Sequence, residues 1–410
     1  MLLIPRKLGS LRNLLGYERD LKLLVILAFL ESTPMGLLFS LYAPYLRELG
    51  FTATEYGLLS SISLLLSILS SLLGGVLVDR VGARRIAVTA SFIGALGLLL
   101  ISLGSRSLVY LGVALWGFSG GLWSISSLIL ATRIPSTPLE KSLPYTAAIS
   151  TIGSGLGAFA GWAPVVLSYY GLELVQSYRL LLALIAVYSV IPVVVIVPRI
   201  REVMATGGAE RREGDSVNWS ILARLILVNI LISFGAGTSI HLIDYYFVLK
   251  FNVRSGELGT LWGVENLLMG ALMLLMPRLS SILGGALRTY IVVASPSILL
   301  LAALILTRNF TVAAAIYITR TILMNVANPL YQAFEMSLIP PRFRGRGASI
   351  LNLAWQVPAG IGRSIGGFLM DWNIEAPIVV TTILYATAFV LLILFFPEHV
   401  LGRRGNSPRP

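Results

Sequence analysis

The sequence contains no cysteine and only two histidines, His241 and His399, among its 410 residues. Without thiols there is no disulfide framework, no thiol nucleophile and no cysteine-ligated metal. The hydropathy pattern places the two histidines towards opposite membrane faces, so neither a metal centre nor a cofactor is expected. Lysine is almost as scarce, with Lys7, Lys22, Lys141 and Lys250 making up the full set. None sits in a Gly-x4-Gly-Lys-Ser/Thr setting, which excludes ATP hydrolysis through a phosphate-binding loop. No Ser, His and acid constellation suggests a triad, and no enzyme is expected. Charge of either sign is thin: 12% of residues, against about 25% in soluble domains.

What fills the chain is apolar, 56% of it. Twelve hydrophobic stretches fall near 22–46, 55–78, 85–105, 108–132, 144–169, 177–198, 220–248, 256–277, 287–307, 310–337, 347–370 and 375–397. Each reaches the roughly 20 residues a membrane-spanning helix needs. The expected fold is all-α, a polytopic membrane protein of twelve transmembrane helices. The formal charge of +12 is a topology signal and not a nucleic-acid patch. In alternating loops, 22 basic residues fall on the side of both termini and 6 on the other. That bias expects both termini in the cytoplasm and a multi-pass protein of the cytoplasmic membrane.

Residues 1–20 lack a small-residue cleavage site and are expected to stay, with Leu8, Leu11 and Leu15 forming a short amphipathic helix on the inner surface. The expected organisation is then a segment 1–20, a six-helix bundle 21–198, a linker 199–219, a second bundle 220–398 and a tail 399–410. The two bundles echo one another. Ile134-Pro135 matches Ile339-Pro340 at an offset of 205 residues, and Gly155, Gly157 and Gly161 match Gly360, Gly362 and Gly366 at the same offset. Glycine rows of this kind let membrane helices approach closely.

Between the second and third stretches the chain reads Gly75-Val-Leu77-Val-Asp79-Arg80-Val-Gly82-Ala-Arg84-Arg85. Gly82 permits the reversal, the arginines anchor the inner face, and Asp79 seeks a cation or a helix N-terminus. The run resembles the G-x-L-x-D-R-x-G-R-R loop of the major facilitator superfamily, with the basic pair one place late. The resemblance implies two pseudo-symmetric six-helix halves with a solute site between them, and an inner gate in which Asp79 meets the start of the eleventh helix, here Arg342, Arg344 and Arg346. The equivalent loop between helices eight and nine has Arg278, Gly284, Gly285 and Arg288 but no Asp. Other signatures of the superfamily are degenerate: Val113 stands where drug exporters carry an Arg, and the fifth helix lacks the Pro and last Gly of their motif. Glu335, near the inner end of helix ten, is expected to pair with the Arg342–Arg346 cluster.

Ionisable side chains within spans are costly and mark pathways. Glu31, Glu265 and Arg320 each fall about ten residues into their helices, near mid-membrane. Helical spacing aligns Glu31 with Tyr42 and Tyr45; Trp262 with Glu265; Tyr317 with Arg320, Met324 and Tyr331, with Asn328 nearby; and Asn352 with Gln356 and Arg363. These stripes are expected cavity walls. Glu31 is the leading proton carrier, and Arg320 either holds Glu265 or meets an anionic group on the solute. His241 and Asp244, one turn apart, are expected near the outer mouth.

The function expected is secondary active transport of a small organic solute by alternating access, coupled to protons, by a monomer in the lipid bilayer that binds no nucleic acid. Efflux of amphiphilic or cationic compounds is favoured. Uptake of a sugar, amino acid or organic anion is the alternative, and a non-transporting membrane receptor is a second.

Overall fold

The computed structural model describes residues 5–132, 139–200, 218–273, 276–340 and 343–398. The linker 201–217, the tail 399–410, Ile134-Pro135 and Arg342 therefore lie outside the described residues. Every regular element among them is helical. This is the membrane solution for a single chain: with no water in the hydrocarbon, each backbone polar group must be satisfied within its own segment.

In chain order the spans are α1 (Pro5–Glu48), α2 (Ala53–Val81), α3 (Ala83–Leu103), α4 (Arg106–Thr132), α5 (Leu139–Phe159, continued to Tyr169) and α6 (Leu174–Ile196). They continue as α7 (Trp219–Phe251), α8 (Ser255–Met273), α9 (Ala286–Leu306), α10 (Phe310–Ser337), α11 (Arg344–Trp372) and α12 (Ala376–Phe395). Among the described residues, ten of the twelve are long and apolar enough to cross a membrane. The other two are α8 and α11; α11 carries Arg344, Arg346, Arg363 and Asp371. Below, the inner end of a helix is the one on the side of the termini.

Large apolar side chains point outwards, as a lipid-facing surface requires: Leu72 is 62% exposed, Leu299 75% and Leu394 66%. Several helices are interrupted. α7 breaks at a tight turn over Ile240–Leu242, and α10 breaks after Asn325, resuming at Asn328 with Pro329 in its first turn. α1 runs unbroken from Pro5 through Pro34 and Pro44.

The chain forms two compact units. The first comprises Met1–Tyr45, Ile62–Ala209 and Ser255–Asn266; the second comprises Leu46–Ser61, Glu210–Arg254 and Leu267–Pro410. The first unit thus contains the outer half of α8, and the second contains the outer end of α2. Leu24, Leu27, Val78, Ile86, Leu122, Val193 and Ile196 form the inner core of the first unit. An aromatic ladder fills that of the second, with Tyr331 stacked on Tyr290 at 4.6 Å, Tyr290 on Phe389 at 5.6 Å and Phe334 edge-on to Phe396 at 5.3 Å.

The glycine echo has a physical basis in each unit. In the first, a Cβ on Gly157 would stand 1.8 Å from the Thr33 carbonyl oxygen, and one on Gly36 1.9 Å from that of Ser154, so α5 crosses α1 backbone to backbone. In the second, a Cβ on Gly362 would stand 2.5 Å from the Phe234 oxygen and one on Gly366 2.0 Å from that of Thr238, which is α11 crossing α7. Corresponding helices cross through corresponding glycines.

Candidate functional site

Glu31 lies in the thirteenth position of the 30-residue apolar part of α1, Arg19–Glu48. It is half-buried, and its Oε1 has no hydrogen-bond partner. The neighbouring polar groups are already committed: Ser32 and Thr33 donate to the Phe29 carbonyl at 3.1 and 2.9 Å. The charge on Glu31 reaches Tyr188 of α6. Tyr45, expected on the same stripe, is instead buried away from it; its hydroxyl donates to the Ile101 and Ser102 carbonyls at 3.0 and 3.1 Å. It ties α1 to α3 and is no cavity wall. Tyr42 is half-buried.

On α8, Glu265 is buried and Trp262 half-buried, both in the first unit. Close approach fixes their helix. Cβ atoms on Gly259 and Gly263 would meet Ala158 O at 2.1 Å and the Phe159 ring at 2.6 Å, while Trp162 Nε1 donates to Thr260 Oγ1 at 3.0 Å. Arg320 belongs to the second unit.

The α10 stripe is more deeply committed than spacing alone implies. Tyr317 packs edge-on to Phe247 at 5.5 Å, Met324 takes a contact from Ser297 Oγ at 3.5 Å, Asn328 bridges the helix break to Asn325 Oδ1 at 3.0 Å, and Tyr331 sits in the aromatic ladder. Arg320 is 1% exposed, with its guanidinium 5.5 Å from the centre of the Tyr385 ring, and its Nε and Nη2 donate to nothing. A buried cation lacking full hydrogen bonding costs several kcal/mol, on the order of 3–5. Arg363 of α11 donates Nη1 to Ser60 O at 3.1 Å, and its Nε has no acceptor. Further inward, Asn352 and Gln356 bond each other at 2.5 Å, Asn352 in the open and Gln356 half-buried.

His241 occupies the turn that breaks α7. The helix continues to Phe251, so His241 stands ten residues below its outer end, the same count that separates Arg320 from Phe310. Counted from the other end of the same helix, His241 stands 22 residues beyond Trp219, in the outer part of α7. The guanidiniums of Arg363 and Arg320 both act electrostatically on His241. Asp244, a turn later, accepts from the Tyr56 hydroxyl at 2.6 Å and from the Tyr245 N–H at 2.9 Å, with the Tyr56 and Tyr245 rings stacked at 4.4 Å.

Above this cluster the outer end of α2 is clamped. Thr52 and Glu55 form a reciprocal capping box at 2.9 and 3.2 Å, and the Asp371 carboxylate of α11 accepts from the Ala53 and Thr54 N–H groups at 3.0 and 2.8 Å. Tyr245 donates to Phe51 O. Ser61 donates to Gly360 O at 2.6 Å and meets Ser364 Oγ at 2.7 Å, and Gly57 faces Gly367 so closely that a Cβ on it would lie 2.3 Å from Arg363 O. Asp371 lies past the apolar run of α11. Burial alone would raise its pKa, but hydrogen bonds from Thr54, Ala53 and Thr52 outweigh burial and hold the carboxyl below the usual range. A depressed carboxylate stabilises the fold at pH above its unfolded value of about 4 and loses that contribution only as pH falls through its lower folded value. Asp371→Ala is expected to cost about 1 kcal/mol, as a lost helix cap does, read as a lower melting temperature at pH 7.

At the inner loop Gly82 has φ +93°, the left-handed backbone that reverses the chain between α2 and α3. Asp79, Arg80 and Arg85 are exposed and Arg84 is half-buried. The packed glycine here is Gly74, whose Cβ would lie 2.7 Å from Ile125; one on Gly75 would meet nothing within 4 Å. Glu335 has a different partner from the one expected. It is buried and accepts from Asn229 Nδ2 of α7 at 2.6 Å, while Arg344 Nε donates to the Met336 and Ile339 carbonyls at 3.1 and 3.3 Å. Arg346 is exposed. Among the described residues no three His, Asp or Glu side chains gather as metal ligands would.

Sequence reading missed the clamp residues Tyr56, Ser61 and Asp371, although Thr52-x-x-Glu55 is a visible helix-start signal. It also missed the outer latch, where Lys250 pairs with Glu375 at 2.6 Å and Tyr246 donates to the same carboxylate at 2.8 Å.

Residues 24–363 match the profile of the Major Facilitator Superfamily. The quinolone resistance protein NorA of Staphylococcus aureus is 22% identical over 234 residues, 55% of this chain and 57% of that protein. A Na(+), Li(+), K(+)/H(+) antiporter of Planococcus maritimus is 27% identical over 212 residues, 50% of this chain and 47% of that one. The chain spans about half the length of these curated relatives. Among solved structures, a bacterial homolog of the human lysosomal transporter Spinster, inward-facing and unoccupied, superposes with TM-score 0.65 at 15% identity over 96% of this chain and 99% of that one. The nucleoside transporter NupG gives 0.67 at 16% identity over 92% and 98%. At these identities the structures share the fold.

Proposed function

The chain belongs to the Major Facilitator Superfamily, a multi-pass membrane transporter and no enzyme, and from that premise we propose that it moves a small organic solute across the cytoplasmic membrane by alternating access, driven by protons and in the direction of efflux. The observation that carries the proton assignment is Glu31, an ionisable side chain midway along α1 with one carboxylate oxygen unpartnered. A structural carboxylate at that depth would have its hydrogen bonds made, because an unmet one is expensive. Similarity to a quinolone resistance protein and to a cation/proton antiporter supports export and proton exchange.

The clamp at the outer end of α2 supports alternating access. It is built from hydrogen bonds and glycine crossings, each weak enough to break and remake. The test is flux in proteoliposomes with an imposed pH difference. Solute should move up its gradient and acidify or alkalinise the lumen in step, and collapse of the pH difference by a protonophore should end accumulation. Accumulation that survives the protonophore contradicts proton coupling.

A further inference from the structure

We infer that the cargo carries an anionic group, and that the second unit receives it between Arg320, Arg363 and His241; this rests on the transporter reading above and names the chemistry of its solute. The geometry is that of a site with surplus positive charge and spare donors. Arg320 is almost fully buried, yet two of its N–H-bearing atoms, Nε and Nη2, lack an acceptor. Arg363 is anchored through Nη1 to a backbone carbonyl of α2, which leaves its Nε unused. A Cβ on Gly362 would lie 3.1 Å from Thr238 N, and one on Gly235 3.1 Å from the Tyr385 ring that carries Arg320, so both arginines flank the stretch of α7 that leads into His241.

The carboxylate within reach is already engaged. Asp244 offsets part of the charge on Arg363, but one of its oxygens accepts from Tyr56 and the other from the Tyr245 backbone. Two guanidiniums against one engaged carboxylate leave a net positive charge. Tyr385 supplies a π-face to Arg320, which positions the guanidinium plane without consuming its Nε and Nη2 donors. Glu335, buried in the same unit, is taken by Asn229.

Guanidinium presents parallel N–H groups that match the two oxygens of a carboxylate, so an organic carboxylate is the fitting class. A neutral amide of the same shape offers one oxygen, no charge, and N–H groups that face other donors. His241 stands at the break of α7, where its ring can add a further hydrogen bond. The charge of the site thus opposes the cationic compounds that the acidic and aromatic content of the sequence favours.

Binding can be read without transport. Purified protein in detergent at pH 7 is melted with increasing benzoate and 2-naphthoate, and in parallel with benzamide and 2-naphthamide. A ligand that binds the folded state raises its melting temperature in a saturable way. The acids should do so and the amides should not. Arg320→Gln should weaken the apparent affinity for the acids on the order of 100-fold, the usual scale for removing one partner of a buried charge pair. Arg320→Lys should recover part of it, since charge returns without the planar fork. Arg363→Gln should weaken it as well, and serves as the decisive variant if Arg320→Gln does not fold. Equal stabilisation by acids and amides, no stabilisation by either acid, or a folded Arg320→Gln protein that responds as the wild type does would each overturn the inference. None of these outcomes bears on proton-driven flux, which the proteoliposome experiment judges by itself.

Discussion

Glu31→Gln is expected to abolish concentrative transport while leaving the protein folded and able to equilibrate solute. A difference of one pH unit is worth about 1.4 kcal/mol per proton, enough for about tenfold accumulation with one proton per solute. A carboxamide neither takes up nor releases a proton in the working pH range, so the variant should bring solute to equal concentration on the two sides and no further. Stability should change little, because the Oε1 that becomes amide or carbonyl has no partner to lose. The measurement is solute uptake into proteoliposomes at matched and unmatched pH. Accumulation equal to wild type would move the proton to another group, and Asp244 or Glu335 would be next.

Gly157→Leu is expected to have the largest effect on stability. The crossing of α1 and α5 has no room for a side chain, since even a Cβ would lie 1.8 Å from the Thr33 carbonyl oxygen. That neighbour is backbone within a continuous helix and cannot rotate aside, so the helices must part. Overpacking of this kind costs about 3 kcal/mol, and more when backbone has to move. Gly362→Leu, facing Phe234 O at 2.5 Å, should act in the same way on the second unit. Gly75→Ala is the control: nothing lies within 4 Å of its Cβ, and its melting temperature should stay within the range of a surface substitution, about 0.5 kcal/mol. Equal melting temperatures for Gly157→Leu and Gly75→Ala would mean that the glycine row is not a packing device.

Much of this was legible beforehand because membranes simplify the code. Length and apolarity alone outlined the twelve helices, and the glycine echo at Gly157 and Gly362 marked two helices that do approach a neighbour closely, though not which neighbour. Gly82 was readable as a reversal because a left-handed φ favours glycine. Side-chain partners were less readable. Helical spacing says which residues share a face but not which neighbour that face meets, so Tyr45 was grouped with Glu31 although its hydroxyl is spent on α3. Glu335 went to the nearest basic cluster in sequence, whereas the structure gives it an amide from α7. The clamp on α2 depends on residues more than 300 apart, Ala53 with Asp371, which local patterns do not reach.

The proposed alternating access requires the outer clamp and the inner half of α11 to open in opposition. A chain without cysteine makes this directly measurable. Single substitutions Ser364→Cys, in the clamp, and Asn352→Cys, exposed near the inner end, are reacted with a water-soluble maleimide in detergent, alone and combined with the clamp-breaking pair Asp371→Ala and Gly367→Leu. Reaction should be slow at position 364 and fast at 352 in the intact clamp, with the two rates changing in opposite directions when the clamp is broken. Both rates rising together, or neither moving, would contradict alternating access in this protein.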